Sequence, residues 1–328
     1  MIDNKTGTIL IISLWILVIV SLLCLSLARQ VIAGLRSTTL ERDEFRCLYA
    51  AKSAVQEAIC SLADDSTLDR DTLYELQDKS RHENDLSGEA DVILGAAYSY
   101  TISDEQRKIN INKADNKLLV ALFDLLAVSD AESLAQNIIY QRGTNAPGYQ
   151  GDYYEISQMS SCRAREPFMA IEELYLIKGL KDKPDILEKC RRFFTVYTPG
   201  NFININTAEQ LVLEAIFISL GAEEVNRGLS LRLANSIVEY RSGGDQKEST
   251  QDDSAIKRDE IKKIFKAGAL DTKEENWIEA QFFPFITKSD LFTVEVFVRL
   301  DNSRVKKKVA IIVDRSQNPT EIKYWYEE

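Results

Sequence analysis

Residues 8–28, TILIISLWILVIVSLLCLSLA, contain no charged side chain, and the rest of the chain is organised around them. At about 1.5 Å per residue a helix of this length reaches roughly 31 Å, enough to cross the hydrocarbon core of a membrane. A cleaved secretory signal usually has a shorter apolar region that ends in small residues. Here no Pro and only Gly34 interrupt residues 8–63. The pattern therefore predicts one helix of about 55 residues whose first part spans a membrane.

A short polar leader, MIDNKTG, precedes this apolar run and ends at Gly7. The arrangement resembles the type IV prepilin signal, in which a dedicated peptidase cuts after the Gly on the cytoplasmic side and leaves the apolar helix on the product. The resemblance implies processing between Gly7 and Thr8. One Lys before the run and three Arg soon after it give little information on orientation, since basic residues flank both ends. The resemblance implies that the bulk of the chain lies outside the cytoplasm.

Length and charge limit what the remaining part can be. About 300 residues follow the membrane segment, enough for two modest domains or for one domain that carries an insertion. The formal net charge of −11 and the pI of about 4.9 argue against nucleic acid as a partner, because phosphate binding needs clustered Lys and Arg.

The five cysteines allow few disulfides. Cys47 and Cys60 lie 13 residues apart on the predicted helix, roughly 20 Å along its axis, which is too far for a bridge. Cys162 with Cys190 is the plausible intrachain pair, and free buried thiols are the alternative.

Beyond residue 29 the predicted helix becomes amphipathic. Its apolar residues follow the 3, 4, 4, 3 spacing of a single face, with Phe45 just before them: Leu48, Ala51, Val55, Ile59 and Leu62. This face is predicted to pack on a core. Residues 64–88 are polar and predict a loop with one short helix near residues 73–76. The single histidine, His82, lies in this loop and is predicted to be exposed, which gives little support to His-based catalysis or a multi-His metal site.

Strand patterns occur on both sides of a helical middle part. Alternation begins after Gly88 and continues through the RKININ segment, and it returns in residues 291–299, in residues 305–313 and near the C-terminus. Strands before residue 110 and after residue 290 are predicted to share one antiparallel sheet. The part between them is then an insertion.

The predicted insertion contains an internal duplication. ININKADNKLLVALF from Ile109 matches ININTAEQLVLEAIF from Ile203, an offset of 94 residues. NIIYQRG from Asn137 matches SIVEYRS from Ser236, and IEELYLIKG from Ile171 loosely matches RDEIKKIFKAG from Arg258. Three matched segments in one order indicate a duplication.

A strand ends and a helix needs an N-cap at equivalent points of the two repeats. Asn112 or Lys113 is the expected cap in the first repeat, and Asn206 or Thr207 in the second, with Asp115 and Glu209 in the first turns. The predicted repeat helix starts are Asn112, Ala114, Asn206, Thr207 and Ala208.

The ININTA opening and the YR-containing ending are also similar to helix-hairpin-helix modules, many of which bind DNA through backbone N–H groups of a Gly-rich hairpin. A membrane-anchored DNA-binding protein of this type is the alternative function. The corresponding stretches here, LLAVSDAES and ISLGAEEVN, are acidic and hold one Gly or none. The charge favours packing units over a DNA site.

Catalytic and metal motifs are missing from the sequence. It contains no GxSxG, HExxH, CxxC, P-loop or G-x-G-x-x-G pattern, so an enzyme is not predicted. Acidic pairs such as residues 64–65, 223–224 and 252–253 leave calcium open, although none has EF-hand spacing and no cofactor is predicted. Residues 242–254, SGGDQKESTQDDS, predict a flexible loop.

Leader, membrane helix, split sheet and duplicated ININ insertion together resemble the minor pseudopilin K family of type II secretion systems. The fold class this implies is α+β: a long N-terminal transmembrane helix packed on a small antiparallel pilin-like sheet, with a large duplicated all-α insertion of SAM-like or helix-hairpin-helix-like repeats. The implied function is that of a non-enzymatic subunit at the tip of a short periplasmic pseudopilus. It would be anchored in the inner membrane by a single span, have other minor pseudopilins and the prepilin peptidase as partners, and help exported proteins to cross the outer membrane.

The membrane segment departs from ordinary pilins in a way that agrees with this family. Ordinary pilins carry a Glu as the fifth residue of the mature chain, where it offsets the N-terminal amine of a neighbouring subunit. Counted from Thr8, the fifth residue here is Ile12, and no acid occurs in the run. Ile12 and Trp15 are the residues expected to pack in the membrane and in the filament. Thr8 itself is a less usual first residue.

The resulting domain organisation is a prediction with four parts. They are a leader at 1–7, a transmembrane helix at 8–28, a pilin-like α/β domain at 29–108 and 285–328, and an inserted helical domain at 109–284 with repeats at 109–180 and 203–270.

Overall fold

The computed structural model describes residues 4–64, 67, 69–82, 92–93, 95–143, 166–181, 183–221, 227–266, 270–281, 283–300, 305–317 and 319–328. The helices are α1 (Asn4–Ala63), α2 (Leu73–Asp78), α3 (Asn116–Leu125), α4 (Ala131–Gln141), α5 (Pro184–Phe193), α6 (Gln210–Leu220), α7 (Arg227–Arg241), α8 (Ile261–Lys266) and α9 (Thr272–Ala280). The strands are β1 (Val92–Ile93), β2 (Ala96–Asp104), β3 (Ile109–Asn110), β4 (Phe194–Thr195), β5 (Ile203–Asn204), β6 (Phe285–Ile286), β7 (Leu291–Leu300), β8 (Lys306–Asp314) and β9 (Glu321–Glu327).

Helix α1 is continuous over 60 residues, which confirms the predicted single long helix. Within the described residues it is the one helix that is long and apolar enough to cross a membrane, and none of its apolar window is buried inside the protein. Its side chains become buried only from Cys47 onward. The first part of the helix therefore projects away from the folded part of the chain.

The C-terminal part of α1 packs on the sheet through small residues. Its fully buried side chains include Cys47, Ala50, Ala54 and Ala58. Leu48 and Ile59, predicted to lie on this face, are only half-buried, and Phe45 is 62% exposed. The alanines let the helix axis approach the strands closely, so the larger residues beside them lie at the margin of the contact.

Five antiparallel strands form one sheet in the order β1-β2-β7-β8-β9. Strand β2 pairs with β7 over its whole length, from Ala96↔Leu300 to Asp104↔Phe292. This pairing confirms that strands before residue 110 and after residue 290 share a sheet. The buried residues of α1, β2, β7 and β8 form one hydrophobic cluster.

The RKININ segment was wrongly predicted as a strand of this sheet. Strand β2 runs through Asp104, where the side chain accepts a hydrogen bond from Gln106 N and starts a 3₁₀ turn, Glu105–Arg107. The chain then leaves the sheet, and β3 pairs in parallel with β4 instead.

The loop after α1 contains the short helix that the sequence predicts. Helix α2 is fixed by a capping box between Thr72 and Glu75. His82, which follows this helix, is exposed as predicted.

The inserted part consists of two helical units, and the same kind of strand pairing joins the beginning and the end of each unit. The first runs from β3 to β4 and the second from β5 to β6, and in each the opening strand pairs in parallel with the closing strand. Helices α3 and α6 pack together between the units, and a second hydrophobic cluster extends through both. In the second unit, Phe217 contacts Phe265, Phe283 and Phe285 at ring-centroid distances of 5.4–5.8 Å. The predicted α+β class with a duplicated helical insertion is thereby confirmed.

Candidate functional site

The membrane segment of α1 presents its predicted packing residues on the surface. Ile12 is 55% exposed and Trp15 is 62% exposed. Gly7 and Thr8 lie within the helical backbone of α1. Large apolar side chains continue to be exposed past the segment, including Val31, Leu35 and Tyr49. This surface is available to lipid or to the helices of neighbouring subunits.

The first asparagines of the ININ motifs shape the turn after β3 and β5. The Asn110 side chain accepts from Asn112 N at 2.8 Å, and the Asn204 side chain accepts from Asn206 N at 3.0 Å. Ala114 N donates to Asn110 O and Ala208 N donates to Asn204 O, both at 2.9 Å. Ala114 and Ala208 are fully buried in these turns. The two repeats thus build the same turn from the same residues.

The second asparagines of the motifs hold a distant piece of each repeat. Asn112 donates to Phe168 O and accepts from Phe168 N, both at 2.8 Å. Asn206 donates to Ile256 O at 3.2 Å and accepts from Ile256 N at 2.7 Å. An amide side chain that both donates to and accepts from one backbone residue makes the same pair of hydrogen bonds that a neighbouring strand would make.

A buried arginine completes each repeat. Arg142 donates to the carbonyls of Ile111 and Ala114, and burial lowers its pKa to about 10. Arg241 donates to Ile205 O at 2.9 Å and pairs with Glu248. These arginines are the equivalent residues of the NIIYQRG and SIVEYRS matches, so the duplication preserves the contact to the carbonyl of Ile111 in one repeat and of Ile205 in the other.

The helix starts lie later than the sequence predicted. Helix α3 begins at Asn116, and its cap is Asp115, whose side chain accepts from Leu118 N. Helix α6 begins at Gln210 after Glu209, whose side chain makes no capping bond. The cap roles expected for Asn112, Lys113, Asn206 and Thr207 were wrong, because the polar side chains of the motif bind other segments of the chain.

A buried group of polar side chains joins the second repeat to the sheet. We call it the polar junction, and it consists of Asp71, Asp104, Asn204, Thr207, Ser289 and Arg315. The Asp104 Oδ2 atom accepts from Asn204 Nδ2 at 2.9 Å, Thr207 Oγ1 at 2.5 Å and Ser289 Oγ at 2.6 Å. Its Oδ1 atom accepts from Gln106 N at 2.7 Å. Four donors from three separate parts of the chain therefore converge on one carboxylate.

Asp71 and Arg315 form the other half of the junction. Arg315 Nη2 lies 2.8 Å from Asp71 Oδ2, and both side chains are almost wholly buried. Arg315 also donates to Ser289 O at 2.7 Å, while Asp71 accepts from Ser289 N at 2.8 Å. The loop after α1, the end of the second repeat and the end of β8 are thereby held together.

The electrostatics of the junction centre on Asp104. Burial raises its pKa to about 6, against the hydrogen bonds from Ser289, Thr207 and Gln106 that favour the charged form, and Asp71 adds to the rise. Asp104 is not among the site residues predicted from the sequence, because it lies in a polar SDEQ stretch of the kind that forms turns. Only the fold brings its partners, up to 185 residues away, into contact with it.

The described residues contain no group of three or more His, Cys, Asp or Glu placed to hold a metal ion. Asp252 and Asp253, one of the acidic pairs considered for calcium, accept backbone N–H groups of their own loop at 2.8–3.2 Å. Asp65 and residues 223–224 lie outside the described residues. Residues 242–254 form a loop that these bonds hold together.

Cys190 is a free thiol buried in the helical core, and burial raises its pKa to about 12. Cys162, its predicted disulfide partner, lies outside the described residues. The connection between α3 and α4 corresponds to a DNA-binding hairpin in the alternative function. It contains Asp130, and Asp124 and Glu132 lie on the helix ends beside it, so this surface is acidic.

No protein-family model matches the chain, and no curated protein matches it. Among solved structures, a chain of the GspK-GspI-GspJ complex from the enterotoxigenic Escherichia coli type 2 secretion system is similar to it, with a TM-score of 0.57 and 16% identity. The match covers 89% of this chain and 99% of that chain. The class that fold and anchor define is a pilin-like protein with a helical insertion. The resemblance to the minor pseudopilin K family is confirmed at the level of the fold.

Proposed function

We propose that the chain is a minor pseudopilin at the tip of a type II secretion pseudopilus, where it assembles with other minor pseudopilins to support export across the outer membrane. The observation that carries the proposal is the fold likeness to a chain of the minor pseudopilin complex, which extends over 89% of this chain. The role is one of assembly, not catalysis. Exported proteins are further partners in this proposal.

The anchor supports the same function. A 60-residue helix with a fully exposed apolar window fits a single-pass inner-membrane protein that can also pack side by side with other helices. In this proposal the folded part lies in the periplasm. Ile12 at the fifth mature position leaves the anchor without a carboxylate, as expected of a subunit that has no neighbour ahead of it.

Co-purification tests the assembly directly. The full-length tagged chain is expressed with the other minor pseudopilins of the same cell and extracted in detergent. We expect those pseudopilins to elute with it, and an unrelated single-pass membrane protein expressed at the same level to be absent. A chain that folds but elutes without any of them would overturn the proposal.

The processing site gives an independent test. Replacing Gly7 with Val places a branched side chain next to the bond that the peptidase is proposed to cut. We expect Gly7→Val to accumulate as an unprocessed precursor. Gly34→Val is a change of the same size at a position of α1 where an added Cβ meets no side chain or other segment within 4 Å, and we expect it to be processed normally. N-terminal sequencing of both membrane-bound products measures this. A mature start beyond residue 28 would replace the prepilin interpretation with an ordinary secretory signal.

A further inference from the structure

The polar junction contains a buried carboxylate that neither the anchor nor the pilin-like fold requires. This carboxylate, Asp104, lies between the second helical repeat and the sheet and is 1% exposed. The donors to Asp104 come from both ends of the second repeat, since Asn204 and Thr207 open it and Ser289 directly follows it. Separation of the repeat from the sheet would break the hydrogen bonds from Asn204 and Thr207 and expose the carboxylate to water, whereas Ser289 is also held by Asp71 and Arg315.

We propose that Asp104 is a proton-operated latch, so that proton uptake by its buried carboxylate tightens the docking of the second helical repeat on the sheet as the pH falls from neutral. The device is independent of the proposed export function, because it rests on contacts within this chain.

The direction follows from the two environments of Asp104. In the docked state burial raises its pKa to about 6, whereas a solvated aspartate has a value of 3.8. Docked protein therefore binds a proton more tightly than undocked protein, and acid favours docking. From these two values the docking constant gains about tenfold between pH 7.5 and pH 5.0 and is nearly flat above pH 7.

The hydrogen bonds of the junction can accommodate the proton. A protonated Oδ2 must donate, and the hydroxyl oxygens of Thr207 and Ser289 can each accept. Asn204 O lies 3.5 Å from Thr207 Oγ1, so the Thr207 hydroxyl can donate to that carbonyl instead of to Asp104. Protonation thus reverses one hydrogen bond and leaves no polar group of this set unpaired.

Several other charged groups lie on the elements packed around Asp104. Asp71 raises the pKa of Asp104, and Arg315 is held against Asp71 at 2.8 Å. Glu105 is paired with Lys108 at 2.9 Å. The remaining charged neighbours in sequence on these elements are Asp69, Arg70, Arg107, Glu209, Lys288, Asp290 and Asp314. The side-chain and backbone groups that donate to the Asp104 carboxylate are those of Gln106, Asn204, Thr207 and Ser289, so the titration is assigned to Asp104.

Hydrogen exchange of the full-length chain in detergent micelles tests the latch. Protection of backbone amides at residues 203–208 and 286–291 is measured from pH 5.0 to 7.5, corrected for intrinsic exchange rates and referenced to helix α3. We expect protection to rise about tenfold from pH 7.5 to pH 5.0, with the rise setting in near pH 6. Asp104→Asn should remove this dependence, while Asp185→Asn, which changes an exposed aspartate on α5 of the first unit, should leave it intact.

A second variant keeps the test decisive if Asp104→Asn does not fold. Thr207→Val preserves the shape of the side chain and removes one donor that favours the charged form of Asp104. We expect the pH at which its protection begins to rise to move upward. The proposal is overturned if protection in the wild type does not change with pH, if Asp104→Asn retains the dependence, or if Thr207→Val leaves the onset of the rise unchanged.

Discussion

Arg315 connects three contacts at the scale of a single residue. Its guanidinium binds the Asp71 carboxylate, donates to the carbonyl of Ser289 and lies 4.7 Å from the ring centroid of Phe292. Because Asp71 is only 1% exposed, water cannot replace the arginine if it is removed. The pair is therefore expected to behave as a buried ion pair and not as a surface one.

We predict that Arg315→Met destabilises the folded chain by about 3–5 kcal/mol, because it leaves the Asp71 carboxylate buried without its cation. The control is Lys266→Met, which removes one partner of the exposed Lys266–Glu279 pair and should cost much less, because solvent screens an exposed ion pair. Urea unfolding followed by circular dichroism measures both. Equal losses in the two variants would show that the Asp71 site is solvated.

At the scale of elements, the two ININ turns offer a comparison within one chain. Asn206 is 2% exposed and pairs with the buried Ile256, whereas Asn112 is half-buried and pairs with Phe168. The chemistry of the two pairings is the same, so the difference in burial decides how much each contributes to stability.

Asn206→Ala should destabilise the chain by about 2–3 kcal/mol, because it leaves the N–H and C=O groups of Ile256 unpaired in a dry site. Asn112→Ala should cost about 1 kcal/mol, because water can reach part of the vacated position. Unfolding in urea, compared with the wild type, gives both values. The argument from burial would fail if Asn112→Ala proved the more damaging change.

Helix α1 contacts the sheet through alanines, and that contact sets its distance from the strands. Ala54 is fully buried in this interface, and Ser53 beside it is exposed. We expect Ala54→Leu to cost about 1–3 kcal/mol through overpacking. Ser53→Leu, the same side chain placed one residue away on the exposed side, should change stability by about 0.5 kcal/mol or less. Thermal unfolding in detergent distinguishes them, and similar melting temperatures would contradict the close packing.

At the scale of the whole molecule, the membrane segment lacks an acidic residue, and this absence relates to the position of the chain in the proposed filament. A carboxylate within the membrane costs about 2.5–3.5 kcal/mol on insertion scales unless a partner pairs with it. We predict that Ile12→Glu lowers secretion of an export substrate, whereas Ile12→Leu leaves it unchanged. Secretion assays together with crosslinking to the other pseudopilins provide the measurement. Wild-type protein found repeatedly along the filament shaft would show that it is not a tip subunit.

The sequence alone determined the features that depend on local composition, on local periodicity or on a repeated segment. The charge-free run gave the long helix, the alternation near both ends gave the shared sheet, and the 94-residue offset gave the duplication. These patterns depend on neighbours within a few residues or on matching segments, so they are visible without a fold.

Only the tertiary structure decided what the polar residues do. The motif asparagines look like helix caps in sequence, yet they bind Phe168 and Ile256, about 50 residues further on. Asp104 looks like part of a turn, yet it meets Thr207 and Ser289 in a buried junction. The physical reason is that a buried hydrogen-bonding group must find a partner wherever the packed chain supplies one, and burial is a property of the assembled fold.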